Sequence, residues 1–271
     1  MYDKLFPPAK YTLPNGKTVY QNRSRAPFVI LLVLLGTAAS VYFTGFSFQV
    51  LFDRWQEFFV IIGEMIPPNW VHTANIWQPL FDTIKMSLLG SITGSLVAVP
   101  AAYLASANII PSKVIQLIAK SILSILRTMP TLVTALIATF VFGLGTLAGT
   151  VAIFLFTIAY VGKLLYEQIE NVDMKPFEAM ESLGMTRIQA FRYAVFPQVL
   201  PNFLSISLFC FEGNVRYAAI LGYVGAGGIG LMLNEGLGWR DYPNVGMILL
   251  LLVITVFIIE SISEHFRKRL I

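Results

Sequence analysis

The sequence carries little charge. Asp, Glu, Lys and Arg make up 13% of its 271 residues, whereas 56% are apolar. Soluble domains contain about a quarter charged residues, so this composition excludes an ordinary soluble domain. There is a single cysteine, Cys210, which excludes an internal disulfide or a cysteine-based metal site. The two histidines, His72 and His265, fall on opposite sides of the topology predicted below, so no metal site is expected.

The charged residues that are present leave long gaps between them. A helix of about 20 apolar residues crosses the hydrocarbon core of a membrane. Charge-free runs of about that length or longer occupy 26–52, 86–112, 128–162, 193–211, 217–234 and 242–259. The sequence therefore predicts an all-α polytopic membrane protein with six spans, near 27–47, 80–105, 118–142, 147–168, 198–221 and 243–262.

Basic residues orient these predicted spans. Six spans put both termini on one side, together with the connections at 113–127 and 163–192. That side holds most of the 19 Lys and Arg residues. Because cytoplasmic loops of membrane proteins are enriched in Lys and Arg, we expect both termini in the cytoplasm. The same enrichment accounts for the net charge of +4, so the lipid bilayer is an expected partner and nucleic acid is not.

The chain divides into four predicted regions. They are a cytoplasmic N-terminal segment (1–26), the first span with an outer amphipathic segment (27–79), a core of five spans (80–262) and a cytoplasmic tail (263–271). Within the second region, residues 50–78 mix three tryptophans with charged side chains. That mixture fits an amphipathic helix on the outer membrane surface or a simple exposed loop.

One polar segment, 173–196, interrupts the core, and its local signals predict a hairpin of two short helices, here named the hairpin. Asp173 can cap the first helix. Gly184 can end it, because glycine adopts the left-handed backbone conformation without strain. Thr186 and Gln189 then have the spacing of a capping box for the second helix. A structured element between two spans suits the docking of a soluble partner.

The hairpin also contains a recognisable motif. Glu178, Ala179, Gly184 and Pro197 follow the spacing Glu-Ala-(small)-x3-Gly-x9-(apolar)-x-(apolar)-Pro, with a methionine in place of the small residue. This pattern resembles the signature loop of permease subunits from bacterial ATP-binding-cassette (ABC) importers. The resemblance implies that the hairpin is the cytoplasmic coupling helix, seated in a groove of the ATPase. The residues that it assigns to ATPase coupling are Glu178, Ala179, Met180, Gly184, Met185, Arg187 and Pro197.

Further motifs in 80–262 resemble the phosphonate importer permeases. The most specific is Phe211-Glu-Gly-Asn-Val-Arg216, followed by the glycine-rich segment Leu221–Gly230. The others are Leu126-Arg-Thr-Met-Pro130, Phe142-Gly-Leu-Gly145 and Gly162-Lys163. The resemblance implies the type I (MetI-like) importer permease architecture, in the bacterial cytoplasmic (inner) membrane.

The same resemblance implies a set of partners and a cargo. Two copies of the chain would form the pathway, two cytoplasmic ABC ATPase subunits would drive it, and an extracytoplasmic solute-binding protein would deliver the solute. ATP and Mg²⁺ would be bound by the ATPases, so this chain is expected to hold no cofactor and to be no enzyme. The expected cargo is phosphonate or a related phosphorus oxyanion, such as phosphite or a phosphate ester; another small solute, such as an amino acid, is the alternative.

Two ionisable residues fall inside the fifth predicted span. Glu212 and Arg216 are four residues apart, so they share a helix face and can pair. Each such group costs about 2.5–3.5 kcal/mol on insertion scales and usually faces a cavity or a protein partner. Arg216, with Asn214 nearby, could line a path for an oxyanion. Alternatively, the pair could only hold the fifth helix against its neighbours.

The glycine-rich break at 222–230 permits a sharp bend or a close backbone approach, and we expect a gate or a dimer contact there. Its members are Gly222, Gly225, Gly227, Gly228 and Gly230. Their GxGxxG spacing lacks the strand and helix of a dinucleotide-binding unit. Elsewhere, Gly90 and Gly94 have the spacing for tight packing of membrane helices.

Three other candidates lie near the predicted cytoplasmic face: Arg127, Pro130 and Lys163. Snorkelling of the charged end groups to the interface explains the two basic residues more simply than substrate contact. An integral membrane enzyme would need several catalytic groups around one cavity, and within the spans the sequence offers only Glu212. A channel would need no coupling element, so the hairpin argues against it.

Overall fold

Helices dominate the fold, because a backbone in lipid must satisfy its own hydrogen bonds. The computed structural model describes residues 9–14, 16–21 and 26–270. The remainder of the predicted N-terminal segment, 1–8, 15 and 22–25, lies outside the described residues. The chain divides into two compact units, Met1–Val60 and Ile61–Ile271.

The first unit contains a pair of short antiparallel strands and one apolar helix. Strands β1 (Ala9–Thr12) and β2 (Thr18–Gln21) pair in antiparallel register. Helix α1 (Ala26–Thr44) is charge-free and has no buried residue. Within α1, Thr37 donates its hydroxyl hydrogen to the Val33 carbonyl oxygen at 2.9 Å, so this hydroxyl group is satisfied inside the helix. These properties suit a helix surrounded by lipid.

Helix α2 (Phe48–Glu64) follows α1 after three residues and is amphipathic. One face is apolar: Phe48, Leu51, Phe52, Trp55, Phe58, Phe59 and Ile62. The opposite face is polar and mostly acidic: Gln49, Asp53, Gln56, Glu57 and Glu64. For this part of 50–78 the structure therefore forms a helix and not a loop, while its place on the outer surface stays a prediction.

The second unit is an assembly of long helices. Its main members are α3 (Thr73–Ala105), α4 (Lys113–Thr128), α5 (Thr131–Phe142), α6 (Thr146–Glu170), α9 (Phe196–Leu221), α10 (Ile229–Gly238) and α11 (Tyr242–Leu270). The hairpin holds two short helices, α7 (Lys175–Ser182) and α8 (Arg187–Ala190), and a π-helical turn, Phe191–Val195.

Helices α3 and α6 form the most extensive helix pair, and glycine determines how closely they approach. A Cβ atom at Gly90 would lie 2.7 Å from Cγ2 of Ile153, and one at Gly94 would lie 2.7 Å from Cβ of Thr157. Both distances are below van der Waals contact. The predicted tight packing at this pair of glycines is confirmed, and α9 packs against both helices.

Within the described residues, five helices are long and apolar enough to cross a membrane, and α4 with α5 could form a sixth span. The sequence predicted one continuous span over 118–142, but these two helices are bent by 92°. Pro130 explains the bend, because the residue before a proline avoids the helical conformation. Accordingly, Met129 is extended, with φ −77° and ψ 122°.

Two other boundaries also differ from the sequence predictions. The fifth span was expected to begin at 198, but helical structure runs without a break from Arg187 through the π-helical turn into α9. The predicted tail at 263–271 is not a separate segment, since α11 continues to Leu270. The carboxyl-terminal basic residues therefore lie on a helix that packs against α9.

Candidate functional site

The hairpin turns as its local sequence predicts, but the N-cap of its first helix is Met174, without a side-chain cap bond, and not the predicted Asp173. The side-chain oxygen of Asp173 accepts a hydrogen bond from the Lys175 amide at 3.1 Å. Gly184 has φ +86°, the left-handed conformation that ends α7. Thr186 and Gln189 form both bonds of the capping box at the start of α8. The predicted helical hairpin is therefore confirmed in its geometry.

Phe177 anchors the hairpin to the rest of the unit. Its side chain is only 2% exposed and belongs to a buried cluster with Ile109, Ile169 and Val195. The cluster joins residues from the loop after α3, from α6 and from the π-helical turn. The hairpin thus has an internal face that is packed against the helices on which it stands.

Arg187 fixes the second helix of the hairpin by two polar contacts. Its Nη1 donates to the carbonyl oxygen of Ile109 at 2.7 Å, and its Nε lies 3.0 Å from Oε1 of Glu181. The sequence assigned Arg187 to ATPase coupling. In the structure its guanidinium ties α8 to the loop after α3 and to α7, so it also supports the hairpin from within.

The opposite face of the hairpin is exposed and partly apolar. Leu183 is 82% exposed, and Ile188 on α8 is exposed as well. The motif residues Glu178, Ala179 and Gly184 are also exposed. We name these five residues the tip.

The remaining predicted coupling residues are not part of the tip. Met180 and Met185 are half-buried, and Met180 packs against the cluster of Phe177. Pro197 is exposed in the first turn of α9. Leu183 and Ile188 are outside the motif, and only their apolar character within a polar segment marks them in the sequence.

A second group of functional candidates lies on α9. Glu212 has a side chain that is 4% exposed, and its Oε1 accepts a hydrogen bond from Nη2 of Arg216, one turn further along. Its Oε2 lies 3.6 Å from Nη2 of Arg267 on α11. The structure thus brings together the predicted pair and a third residue, Arg267, which the sequence placed in the tail.

Asn214 is turned away from this pair. Its side-chain amide donates to Oγ of Ser91 at 2.8 Å and to Oγ1 of Thr157 at 2.9 Å. It is buried where α3, α6 and α9 meet. These contacts make Asn214 a polar connection among three helices, on the side of α9 opposite Glu212.

Arg216 opens onto a cavity of about 400 Å³ between α6 and α9. Its side chain is 51% exposed despite the pairing with Glu212. The cavity is lined by Phe156, Tyr160, Phe209, Cys210, Gly213, Arg216, Tyr217 and Ile220. One cationic group therefore faces an otherwise aromatic and apolar cavity.

The glycine-rich break packs against other segments of the same chain, namely the corner before α6 and the end of α9. Gly225, Gly227 and Gly228 have φ between +71° and +77°. The Gly145 amide donates to the Gly225 carbonyl oxygen at 2.9 Å, which joins the break to the corner between α5 and α6. A Cβ atom at Gly230 would overlap the carbonyl oxygen of Ala219.

Gly222 shows the same crowding, since a Cβ there would overlap the backbone of Gly230. These close approaches within one chain explain the glycines, while the predicted gate or dimer contact stays a prediction.

The three candidates near the predicted cytoplasmic face belong to neither group. Arg127 is exposed in the last turn of α4, and Pro130 stands at the bend between α4 and α5. Lys163 lies on α6, with its Nζ 3.4 Å from Oε1 of Glu167. None of these three residues is among those that line the cavity at Arg216.

The fold and these two groups define a class of protein: a multi-span helical membrane subunit with a rigid hairpin that presents an exposed tip. Comparison with known proteins gives the family. Residues 98–271 match the family described as the binding-protein-dependent transport system inner membrane component. The chain belongs to this family of transport permeases, and it is a multi-pass inner-membrane protein.

Relatives include phosphorus transporters. The chain is 34% identical to the phosphite transport system permease protein PtxC of Stutzerimonas stutzeri over 77% of this chain and 76% of that protein. It is 32% identical to the phosphate-import permease protein PhnE of Mycolicibacterium smegmatis, over 80% of this chain but 41% of that longer protein. The chain thus spans less than half of the mycobacterial relative.

Solved structures share the fold. An inward-facing conformation of the MetNI methionine ABC transporter matches with a TM-score of 0.65 at 19% identity, over 75% of this chain and 99% of the other. A bacterial ABC transporter that imports alginate matches with a TM-score of 0.62 at 12% identity, over 90% of this chain and 96% of the other. At these identities the likeness establishes the importer permease fold and nothing about cargo.

Proposed function

We propose that two copies of this chain form the pathway of an ATP-driven importer for phosphorus oxyanions. Two separate ABC ATPase subunits, which bind ATP and Mg²⁺, dock on the hairpins, and a solute-binding protein delivers the cargo on the other side. The observation that carries this proposal is the hairpin itself. It is anchored inside by Phe177 and Arg187, and it presents a partly apolar tip outside.

The cargo class rests on the relatives and on one side chain. Relatives at about a third identity are named for phosphite, phosphate and phosphonate transport. These cargoes share a tetrahedral phosphorus with anionic oxygens, which arginine recognises well through its planar fork of donors. Arg216, half-exposed within a span, is a cation of this kind.

The proposed orientation puts the hairpin and both termini in the cytoplasm. Lys120, Lys175 and Arg192 lie on or near the hairpin end of the second unit, and Lys268 and Arg269 lie in the last turn of α11. Enrichment of basic residues on one side supports a cytoplasmic location for that side. ATP is available there, as the docking of ATPases requires.

Replacement of Leu183 tests the docking role of the tip. Burial of a leucine side chain in an interface stabilises it by about 1.5–3 kcal/mol, so Leu183→Ser should weaken ATPase binding about tenfold or more. The measurement is the amount of ATPase that co-purifies with the permease, together with ATP hydrolysis stimulated by the binding protein. The variant should still fold, because Leu183 is 82% exposed.

Leu144→Ser is the matched control for this experiment. Leu144 is also 82% exposed, but it stands in the corner between α5 and α6, at the other end of α6 from the hairpin. It should leave the amount of co-purified ATPase unchanged. Equal ATPase recovery from the Leu183 and Leu144 variants would contradict docking at the tip.

We further propose that α2 lies along the outer surface of the bilayer with its apolar face in the lipid. The helix begins after a three-residue connection from α1, so its first turn is at the membrane boundary.

Nitroxide labels at Trp55→Cys and Glu57→Cys, in a chain with Cys210→Ser, would report the lipid access and the water access of the two faces separately. We expect oxygen, which concentrates in lipid, to reach residue 55, and a water-soluble nickel chelate to reach residue 57. Equal access at both positions would contradict an interfacial helix.

A further inference from the structure

Glu212 is held between two arginines, one on each carboxylate oxygen. Arg216 donates to Oε1, and Nη2 of Arg267 lies 3.6 Å from Oε2. Among the described residues Oε2 accepts no hydrogen bond, so Arg267 acts on it through charge at this distance. One carboxylate and two guanidinium groups leave the cluster with a net charge of +1. A simple pair of Glu212 and Arg216 would have been neutral.

Arg267 is held in place by a second contact. Its guanidinium carbon lies 5.5 Å from the ring centre of Phe209, a cation–π distance. Phe209 also lines the cavity at Arg216. Arg267 is therefore placed behind Glu212 and beside the cavity wall, and it is not among the residues that line the cavity.

Arg216 carries the exposed part of the charge. It is 51% exposed, whereas the Glu212 side chain beneath it is 4% exposed. A charged group at membrane depth faces protein or water and not lipid. The surface of α9 around Arg216 must therefore be covered by a water-filled pathway or by a second copy of the chain.

The cavity suits a small hydrated anion. Its volume of about 400 Å³ compares with about 30 Å³ for a water molecule in the liquid, so an oxyanion with one phosphorus fits with part of its hydration shell. Its aromatic wall is ordered: Phe156 stacks on Tyr160 with ring centres 5.7 Å apart, and it meets the ring of Tyr217 edge-on at 5.8 Å. Tyrosine hydroxyl groups can donate hydrogen bonds to anionic oxygens.

We infer that Arg216 binds the phosphorus oxyanion as it passes through the span, and that Arg267 is a positioning residue that offsets the charge of Glu212. This inference rests on the proposed function and adds the binding residue and its support. Glu212 fixes the Arg216 side chain by a hydrogen bond. Arg267 compensates for the negative charge that this bond brings into the pathway.

The test compares single and double charge removals in the complete transporter, reconstituted in liposomes with its ATPase and binding protein. Uptake of radiolabelled phosphite, phosphate and methylphosphonate is measured as a function of their concentration.

Arg216→Gln should lower uptake at least tenfold, and adding Glu212→Gln should not restore it. Arg267→Gln should raise the KM several-fold with little change in maximal rate, because Glu212 then neutralises Arg216. Adding Glu212→Gln to Arg267→Gln should restore the KM.

Lys163→Gln is the matched control, since it removes a positive charge from α6 at a residue that does not line the cavity and is paired with Glu167. It should leave uptake unchanged. ATP hydrolysis stimulated by the binding protein shows that each variant complex is assembled. If the Arg216→Gln complex does not assemble, the comparison of Arg267→Gln with its double variant decides the inference.

Two outcomes would overturn the inference while leaving the proposed function intact. One is recovery of uptake in Glu212→Gln/Arg216→Gln, which would show a purely structural pair. The other is an unchanged KM in Arg267→Gln. A wild-type complex that takes up none of the three oxyanions would instead overturn the proposed function, and the inference with it.

Discussion

Replacing Gly230 with alanine should strongly destabilise the second unit. A Cβ atom there would overlap the carbonyl oxygen of Ala219 and lie 3.0 Å from Cα of Gly222. All of these are backbone atoms, which cannot move away by a change of rotamer. Overpacking of a well-packed site costs about 1–3 kcal/mol and more where the backbone must shift, so we expect a loss of about 3 kcal/mol or more.

Size-exclusion chromatography of the heated, detergent-solubilised protein measures this effect. The Gly230→Ala variant should lose its monodisperse peak at a much lower temperature than the wild type. Gly238→Ala is the control in the same helix, because a Cβ at Gly238 meets nothing within 4 Å. If the two variants were equally stable, the crowding of α9 against α10 would not determine stability.

Truncation of Phe177 should have the second largest effect. Removal of a buried phenylalanine side chain costs about 3–5 kcal/mol, and Phe177 is the main apolar contact between α7 and the helices below it. The Phe177→Ala hairpin should detach from the cluster. Both thermal stability and the ATP hydrolysis stimulated by the binding protein should therefore fall.

The comparison variant is Leu183→Ala, which shortens an apolar side chain on the exposed face of the same hairpin. It should leave thermal stability within about 0.5 kcal/mol of the wild type, as surface substitutions usually do. It should still reduce ATPase binding. A hairpin that stayed fully coupled in Phe177→Ala would show that its position does not depend on this anchor.

The local elements of the hairpin could be predicted because each depends on neighbouring residues. The left-handed turn at Gly184 and the capping box of Thr186 and Gln189 involve contacts within three or four residues. The tight packing at Gly90 and Gly94 could be predicted for a similar reason, since spacing along one helix determines it. The residues that Gly90 and Gly94 pack against, Ile153 and Thr157, could not be predicted from that spacing.

The differences from prediction come from long-range contacts and from one misjudged proline. Pro130 interrupts a charge-free run, and apolar length alone suggested one span where the structure bends by 92°. Arg267 was assigned to a tail because three basic residues usually end a span. The helical spacing of Ile262, Phe266 and Leu270, with the pair of Glu264 and Lys268 at 2.8 Å, could have indicated a longer helix. The contact of Arg267 with Glu212 depends on the packing of α9 against α11, and no pattern in the neighbouring sequence indicates it.

The glycine contacts between α3 and α6 also determine how movement is transmitted. No flexible side chain at Gly90 or Gly94 separates the two helices, so they cannot slide apart without losing close contact with Ile153 and Thr157. The hairpin is attached to both, through Arg187 to the loop after α3 and through Phe177 to the end of α6. We therefore expect the two helices and the hairpin to move together as one rigid body. With 25 residues, α6 is about 37 Å long, and a tilt of about 5° at the hairpin displaces its far end by about 3 Å.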